Sequence, residues 1–131
     1  LVNEARAGPR RCGRKRFDAA SPLVFSDPLQ CAALEHARDM ASRGTLSHTG
    51  GDGSTHAERA TRAGYRWGVV GENIAAGQPT PEQVVAGWLK SAAHCANLMD
   101  PEFSEMGVAY AAAPRDAKGI YWVQLFGAPR Q

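Results

Sequence analysis

Residues 106–127, MGVAYAAAPRDAKGIYWVQLFG, contain two apolar segments on either side of the turn-like stretch PRDAKG. The two segments alternate or run apolar, and the Pro, Asp and Gly between them favour a reversal of the chain, so this stretch predicts a β-hairpin. The segments before it show helical spacing instead. Helices followed by a terminal hairpin are typical of an α+β protein whose helices pack on an antiparallel sheet.

The two best-marked helices precede this hairpin. Ser26 is a good N-cap and Gly44 a good C-cap, and the apolar residues between them recur at helical spacing. Residues 80–83, TPEQ, form a capping-box pattern that starts a helix ending near Ser91. Weaker signals predict helices over residues 1–7 and from Ser54 to about residue 63. Residues 10–25 and 45–53 are predicted to be irregular, and residues 68–78 to be a buried irregular segment or a short strand.

Length and composition describe one ordinary globular domain over residues 1–131. The 131 residues are 44% hydrophobic and 21% charged, and the formal net charge is +2. The basic residues are scattered apart from a cluster at residues 10–16, which we expect to be a solvated loop, and we expect no nucleic-acid partner. No apolar run is long enough for a membrane span. The chain opens inside a predicted helix, so we expect a signal segment upstream of Leu1.

Three cysteines are present, and their spacing matches no zinc motif. Cys31 lies in a helical pattern among apolar residues, which favours a buried thiol. Cys12 and Cys95 lie in irregular stretches where a disulfide would stabilise the fold, and we favour that pairing. Three reduced thiols in a cytosolic protein remain the alternative, because sequence alone does not fix the pairing.

The candidate functional residues are histidines and one carboxylate. His36 lies on an apolar helical stripe and His56 in the first turn of a short helix, which favours a core and an exposed position respectively. His48 and His94 each lie beside an element end among small polar residues, where side chains can face a cleft. Glu72 is flanked by apolar and glycine residues, so its carboxylate must be hydrogen-bonded, paired or metal-bound.

Four interpretations of these residues stay open. His48, Glu72 and His94 could hold a divalent metal, or act as a general acid–base set. Ser91, three residues before His94, allows a Ser91–His94–Glu72 catalytic triad, although no nucleophile elbow is present. The same three residues could instead be a buried cluster that only fixes the loops. Glu105 is a weaker candidate for the same site.

Several long motifs resemble bacterial members of the CAP superfamily, the SCP or PR-1-like domains related to cysteine-rich secretory proteins and antigen 5. The opening LVNEARA and the helix ending in HARDMASRG are also similar to that family. The resemblance covers nearly the whole chain, and its central motifs are SHTGGDGSTHAERATRAGY (47–65), GENIAAG (71–77), GWLKSAAHCANLMDPEFSEMGVAY (87–110) and YWVQLFG (121–127).

The resemblance implies an α-β-α sandwich with a small antiparallel sheet between helical layers, and a secreted or periplasmic protein. It also implies a cleft lined by two histidines and two acidic residues, which in some members binds Zn²⁺ or another divalent cation. His48 and Glu72 match the first histidine and a glutamate of that cleft, and His94 matches a bacterial form of the later motif. The chain lacks the GHYTQ-like segment that carries the second histidine of eukaryotic members, so the equivalence of His94 to that histidine stays open. Glu105 and Ser91 are candidates for the fourth position. We expect a monomer that binds a cation or small ligand. The alternative is a hydrolase, either a protease or an enzyme acting on the cell envelope, that uses Ser91 and His94 or a metal-bound water, so whether the protein is an enzyme stays open.

Overall fold

A computed structural model describes residues 1–131. The elements follow in the order α1 (Val2–Arg6), β1 (Arg10–Cys12), β2 (Lys15–Phe17), β3 (Val24–Phe25), α2 (Asp27–Arg43), α3 (His56–Arg62), β4 (Trp67–Ala76), α4 (Pro81–Lys90), α5 (Ala92–Met99), β5 (Glu105–Ala113) and β6 (Gly119–Pro129). Helices thus dominate the first part of the chain and the long hairpin closes it, as the sequence predicts.

The main sheet has four strands in the order β3-β5-β6-β4. Strands β5 and β6 form the predicted hairpin, and β4 pairs antiparallel with β6 over nearly its full length. The two-residue β3 pairs parallel with β5, so the sheet is mixed at this edge. The strand β4 is ten residues long, and residues 10–25 contain three short strands. The prediction of irregular chain over residues 10–25 was therefore wrong. For residues 68–78 the strand alternative is confirmed, but the strand is longer than predicted. Gly-rich and Arg-rich strands carry little of the alternation that marks a strand.

Two hydrophobic cores lie on opposite faces of this sheet. Alternation along β6 sends Val123 and Leu125 to the face covered by α2 and α3, and Trp122 and Phe126 to the face covered by α1, α4 and α5. Each face of the sheet therefore has its own helical layer. This is the α-β-α sandwich of the α+β class that the sequence predicts.

Caps fix the ends of the helices. The Ser26 side chain accepts a hydrogen bond from the Leu29 amide, and Gly44 ends α2 in the left-handed conformation. Helix α3 begins one residue later than predicted, because Thr55 rather than Ser54 is its N-cap and forms a capping box with Glu58.

The disulfide joins Cys12 and Cys95, which confirms the favoured pairing. It ties the β1–β2 hairpin to α5. Cys31 is a free, exposed thiol, so the prediction of a buried thiol was wrong. Its neighbours Ala32 and Ala33 lie on the buried face of α2, whereas Cys31 lies outside that face. Successive residues point in different directions around a helix, so a residue beside two buried ones can still face solvent.

Helix α2 crosses the sheet in close contact at Gly107. A Cβ atom at this position would collide with the backbone of Leu29 and Gln30. Because backbone cannot yield as a side-chain tip does, Gly107→Ala is expected to lower the free energy of unfolding by about 2 kcal/mol. Urea denaturation checks this.

The matched control is Gly87→Ala on the exposed face of α4. There the nearest atom to the new Cβ lies 3.9 Å away. We expect this variant to gain about 0.5–1 kcal/mol, because alanine is the better helix former. Equal effects of the two substitutions would contradict the close packing of α2 on β5.

Candidate functional site

Glu72 lies on β4, the strand at one edge of the main sheet. Its side chain is 1% exposed and lies on the same face of the strand as Ile74, toward the α2–α3 layer. Removing a carboxylate from water is costly unless it is paired. The surroundings of Glu72 meet that requirement.

Both carboxylate oxygens of Glu72 have partners. Oε1 accepts a hydrogen bond from Nδ1 of His48 at 2.8 Å, and Oε2 accepts one from Nη2 of Arg59 at 2.9 Å. The negative charge is therefore compensated inside the protein. Its two oxygens hold two side chains in fixed positions.

Arg59 is the site residue that the sequence analysis missed. It lies on α3, its side chain is 2% exposed, and it also donates to the backbone carbonyls of Ser54 at 2.8 Å and His48 at 2.9 Å. It thus fixes the loop that carries His48. No sequence signal marked it, because an arginine in a helix is usually exposed, and only the fold shows that this one is buried and paired.

His48 is the exposed member of the cluster. Its side chain is 55% exposed, and within the protein its ring makes a hydrogen bond only through Nδ1. The hydrogen bond to Glu72 raises the pKa of His48 above its ordinary value, although burial acts in the opposite direction. Because Nδ1 is engaged, Nε2 is the atom left for a ligand.

His36 helps to fix the backbone next to His48. Its ring is buried, as predicted, and Nε2 lies 2.7 Å from the backbone carbonyl of Ser47, the residue before His48. With the proton on Nε2, this nitrogen donates to that carbonyl. Burial lowers the pKa of His36, which favours the neutral ring.

His94 comes from the opposite helical layer. It lies on α5, is half-buried, and its Nδ1 lies 2.8 Å from the hydroxyl oxygen of Ser91. Burial lowers the pKa of His94, and the charge of a protonated His48 lowers it further. The two histidines are therefore near enough for the charge of His48 to affect the pKa of His94. They can lie this close because β4 is an edge strand, around which side chains of both layers can approach.

Two asparagines bridge the same edge. The Asn73 amide donates to the backbone carbonyl of His94 at 3.1 Å. The Asn97 amide donates to the backbone carbonyl of Glu72 at 3.2 Å and to the Asn73 side-chain oxygen at 3.0 Å. These bonds fix α5 against β4 and so fix the spacing of His94 from Glu72.

The remaining candidates lie differently from the predicted arrangement. His56 is half-buried rather than exposed, and burial lowers its pKa. Glu105 accepts a hydrogen bond from the Tyr65 hydroxyl at 2.7 Å and makes none with His48, Glu72 or His94.

The three residues of the hypothetical Ser91–His94–Glu72 triad do not form a triad in the structure. Ser91 and His94 are in contact, but Glu72 binds His48 instead of His94. No carboxylate lies within ion-pair distance of His94. The Ser–His pair therefore lacks the group that orients the imidazole in such triads.

The donors that a metal ion would use are the imidazoles. No group of three or more His, Cys, Asp or Glu side chains is arranged to hold a metal ion. Glu72 has both oxygens engaged, whereas Nε2 of His48 and Nε2 of His94 make no hydrogen bond within the protein. Neutral imidazole nitrogen is a common ligand of Zn²⁺ and related cations. Nε2 of His48 and Nε2 of His94 are therefore the imidazole nitrogens of the cluster that have no partner within the protein.

The fold and the edge-strand cluster define a sandwich domain with a polar site between its helical layers. A family model described as CAP, the cysteine-rich secretory protein family, matches residues 1–126, and the chain belongs to this family. None of the helices combines the length and the apolar character that a membrane crossing requires.

Three known proteins illustrate the relationship. The uncharacterized protein YkwD of Bacillus subtilis is 31% identical over 105 residues, which are 80% of this chain and 39% of that protein. An extracellular SCP-domain protein of Bacillus anthracis has a TM-score of 0.73 and 26% identity, covering 82% of this chain and 34% of its own. An outer surface protein of Borrelia burgdorferi has a TM-score of 0.75 at 24% identity, covering 85% of this chain and 80% of its own, a likeness in fold. The chain thus spans little more than a third of the length of the two Bacillus proteins.

Proposed function

We propose that this chain is one secreted CAP domain, spanning residues 1–131, whose polar cleft binds a divalent cation such as Zn²⁺. The ligands would be Nε2 of His48 and Nε2 of His94. One observation carries the proposal: a buried carboxylate holds the half-exposed His48 ring by Nδ1, so that Nε2 has no partner within the protein. A small ligand could complete the coordination shell in place of water.

Glu72 would serve as the supporting carboxylate rather than as a direct ligand. A carboxylate that accepts from the far nitrogen of a ligating histidine fixes its tautomer and makes the ring a better donor. Arg59 holds the second oxygen of Glu72, so the carboxylate cannot turn toward the cleft without losing a buried ion pair. The arrangement therefore favours one fixed orientation of His48.

Two observations support an extracellular setting. The Cys12–Cys95 disulfide is typical of proteins outside the reducing cytosol. The SCP-domain relative from Bacillus anthracis is described as extracellular, and the Borrelia burgdorferi protein as an outer surface protein. We propose the same location for this chain.

Zinc titration by calorimetry tests the cleft. Because a metal binds only the neutral ring, and because the pKa of His48 is raised whereas that of His94 is lowered, His48 is the last of the two to become available as pH rises. We therefore expect Zn²⁺ to bind more tightly at about pH 8 than at about pH 6. Binding of equal strength at both values would contradict a role for His48.

Matched variants locate the binding. His48→Ala and His94→Ala are each expected to weaken Zn²⁺ binding by about tenfold or more, since each removes one ligand. Asp52→Asn, at an exposed carboxylate paired with Arg62, is expected to leave it unchanged. Heat of binding that persists in both histidine variants would place the metal elsewhere.

A further inference from the structure

The β1–β2 hairpin carries an unusual concentration of positive charge. Five of the 15 basic residues lie within residues 10–16, and no acidic residue lies among them. The rest of the chain then has ten basic residues against 13 acidic ones, a net negative charge. The positive excess of the whole protein therefore comes from this one hairpin.

The strand register places two of these charges side by side. Arg11 is paired with Arg16 directly across the hairpin, so their side chains emerge on the same face. Both residues are exposed. Like charges in this position repel each other and destabilise the pairing. An anion bound between the two guanidinium groups would attract both of them and so offset their repulsion.

No carboxylate lies within ion-pair distance of a hairpin arginine, although Glu4 and Glu82 line a second depression together with Arg10. The ion pairs that arginines form with carboxylates all lie elsewhere, in the pairs Arg43–Asp39, Arg59–Glu72, Arg62–Glu35 and Arg62–Asp52. The arginines of the hairpin are therefore free to receive an external anion.

The hairpin is also anchored. Cys12 is buried and joined to α5 by the disulfide, and Phe17 packs against the same small core. Gly13 makes the turn at φ +62°. Because the inner face is fixed in this way, Arg11 and Arg16 project from a held backbone rather than from a loose loop. Binding a ligand there therefore costs less conformational entropy of the protein backbone than binding to a flexible loop would.

A small depression lies at the base of these side chains. It has a volume of about 250 Å³ and is lined by Pro9, Arg10, Arg11 and Arg16. Since a water molecule takes about 30 Å³, the depression has room for a small oxyanion with some of its hydration.

We propose that this hairpin is a binding site for a phosphate group, held between Arg11 and Arg16. Guanidinium groups bind phosphate oxygens through pairs of parallel N–H donors, which makes arginine suited to this anion. The phosphate group can belong to a soluble phosphorylated molecule or to a phospholipid headgroup. The site is separate from the cleft at His48 and does not depend on its function.

Titration with inorganic phosphate, followed by amide NMR shifts, tests the site directly. We expect shifts concentrated in residues 9–17, and no comparable shifts with sodium chloride at the same ionic strength. The double variant Arg11→Gln/Arg16→Gln is expected to lose about tenfold or more in phosphate affinity. Arg38→Gln/Arg66→Gln removes the same charge from two exposed arginines without ion pairs, and is expected to stay within about twofold of wild type.

Glycerol phosphate and vesicles distinguish the two sources. Binding to phosphatidylglycerol vesicles but not phosphatidylcholine vesicles, lost in the hairpin variant, assigns the site to a headgroup. Binding of glycerol phosphate without vesicle binding assigns it to soluble molecules. Equal shifts with chloride, or equal phosphate affinity of the two double variants, would overturn the proposal, because either shows only diffuse counterion attraction.

The fold of the hairpin variant supplies a second readout. Because Arg11→Gln/Arg16→Gln relieves a like-charge contact, its melting temperature without phosphate is expected to equal or exceed that of wild type. Added phosphate is expected to raise the melting temperature of wild type and not that of the variant. A rise of the same size in both proteins would count against the site.

Discussion

Glu72→Ala is expected to lower the free energy of unfolding by about 3–5 kcal/mol. The substitution leaves the guanidinium of Arg59 buried without its carboxylate, and unpaired buried charge is among the largest single-residue penalties in proteins. It also releases the ring of His48. Urea denaturation at neutral pH measures the loss.

The size of this loss is expected to depend weakly on pH. The pKa of His48 is raised in the folded protein, so its pairing with Glu72 stabilises the fold fully below the unfolded pKa of about 6.5. That contribution disappears as the pH rises through the folded pKa. The difference between wild type and Glu72→Ala should therefore be larger at about pH 6 than at about pH 9, by a small amount because the His48 ring is largely exposed.

Two controls separate the buried pair from ordinary surface charge. Arg62→Gln breaks exposed ion pairs with Glu35 and Asp52, and is expected to cost at most about 1 kcal/mol. Glu72→Gln keeps the shape of the side chain but removes its charge, and should fall between wild type and Glu72→Ala. If Glu72→Ala unfolds at the same urea concentration as wild type, the buried pairing with Arg59 is refuted.

Removing the disulfide by the double substitution Cys12→Ala/Cys95→Ala is expected to cost about 4–5 kcal/mol. The two cysteines are 83 residues apart, and the chain-entropy model gives a loss of this size for a loop of that length. The loss is a large part of the stability of a typical domain. Thermal and urea unfolding of the variant and wild type measure it.

Cys31→Ser is the matched control for this prediction. Cys31 is exposed and unpaired, so its replacement is expected to change stability by no more than about 0.5 kcal/mol. A reducing agent should destabilise wild type and leave Cys12→Ala/Cys95→Ala unaffected. A double variant as stable as wild type would mean that the cross-link contributes nothing to folding.

The parts of the fold that could be predicted are those governed by local rules. Ser26 and Gly44 mark α2 because caps satisfy backbone groups at a helix end, whatever the rest of the chain does. The β5–β6 hairpin is visible because its two strands are adjacent in sequence. By contrast, β4 pairs with a strand that is distant in sequence, and its two glycines and Glu72 conceal the alternation of its faces.

The sequence singles out His48, Glu72 and His94 as candidates, but neither Arg59 nor the connections between these side chains could be predicted. The apolar neighbours of Glu72 show that its charge needs a partner, yet they do not name Arg59, which comes from a separate helix. The residues Ser91 and His94 show a spacing that allows contact, and the structure contains that contact. Which of the two histidines receives the carboxylate is set by the face of β4 that Glu72 occupies. Only the strand register decides that face.

For the basic cluster at residues 10–16, the sequence shows the charges but not their arrangement in space. Residues 10–16 contain five positive charges in any conformation, and an unstructured loop would let them spread apart. The pairing of β1 with β2 instead holds Arg11 opposite Arg16. The functional meaning of the cluster thus depends on a hairpin that the sequence pattern did not predict.

The most direct test of the cleft follows the imidazole nitrogens of His48 and His94 by long-range ¹H–¹⁵N NMR during addition of Zn²⁺ at about pH 7.5. We expect the ¹⁵N resonances of Nε2 in both rings to shift together and to saturate at one ion per chain. Nδ1 of His48 is expected to keep its proton, which it donates to Glu72. Rings that respond at different Zn²⁺ concentrations, or a His94 ring that does not respond at all, would contradict a shared cation site.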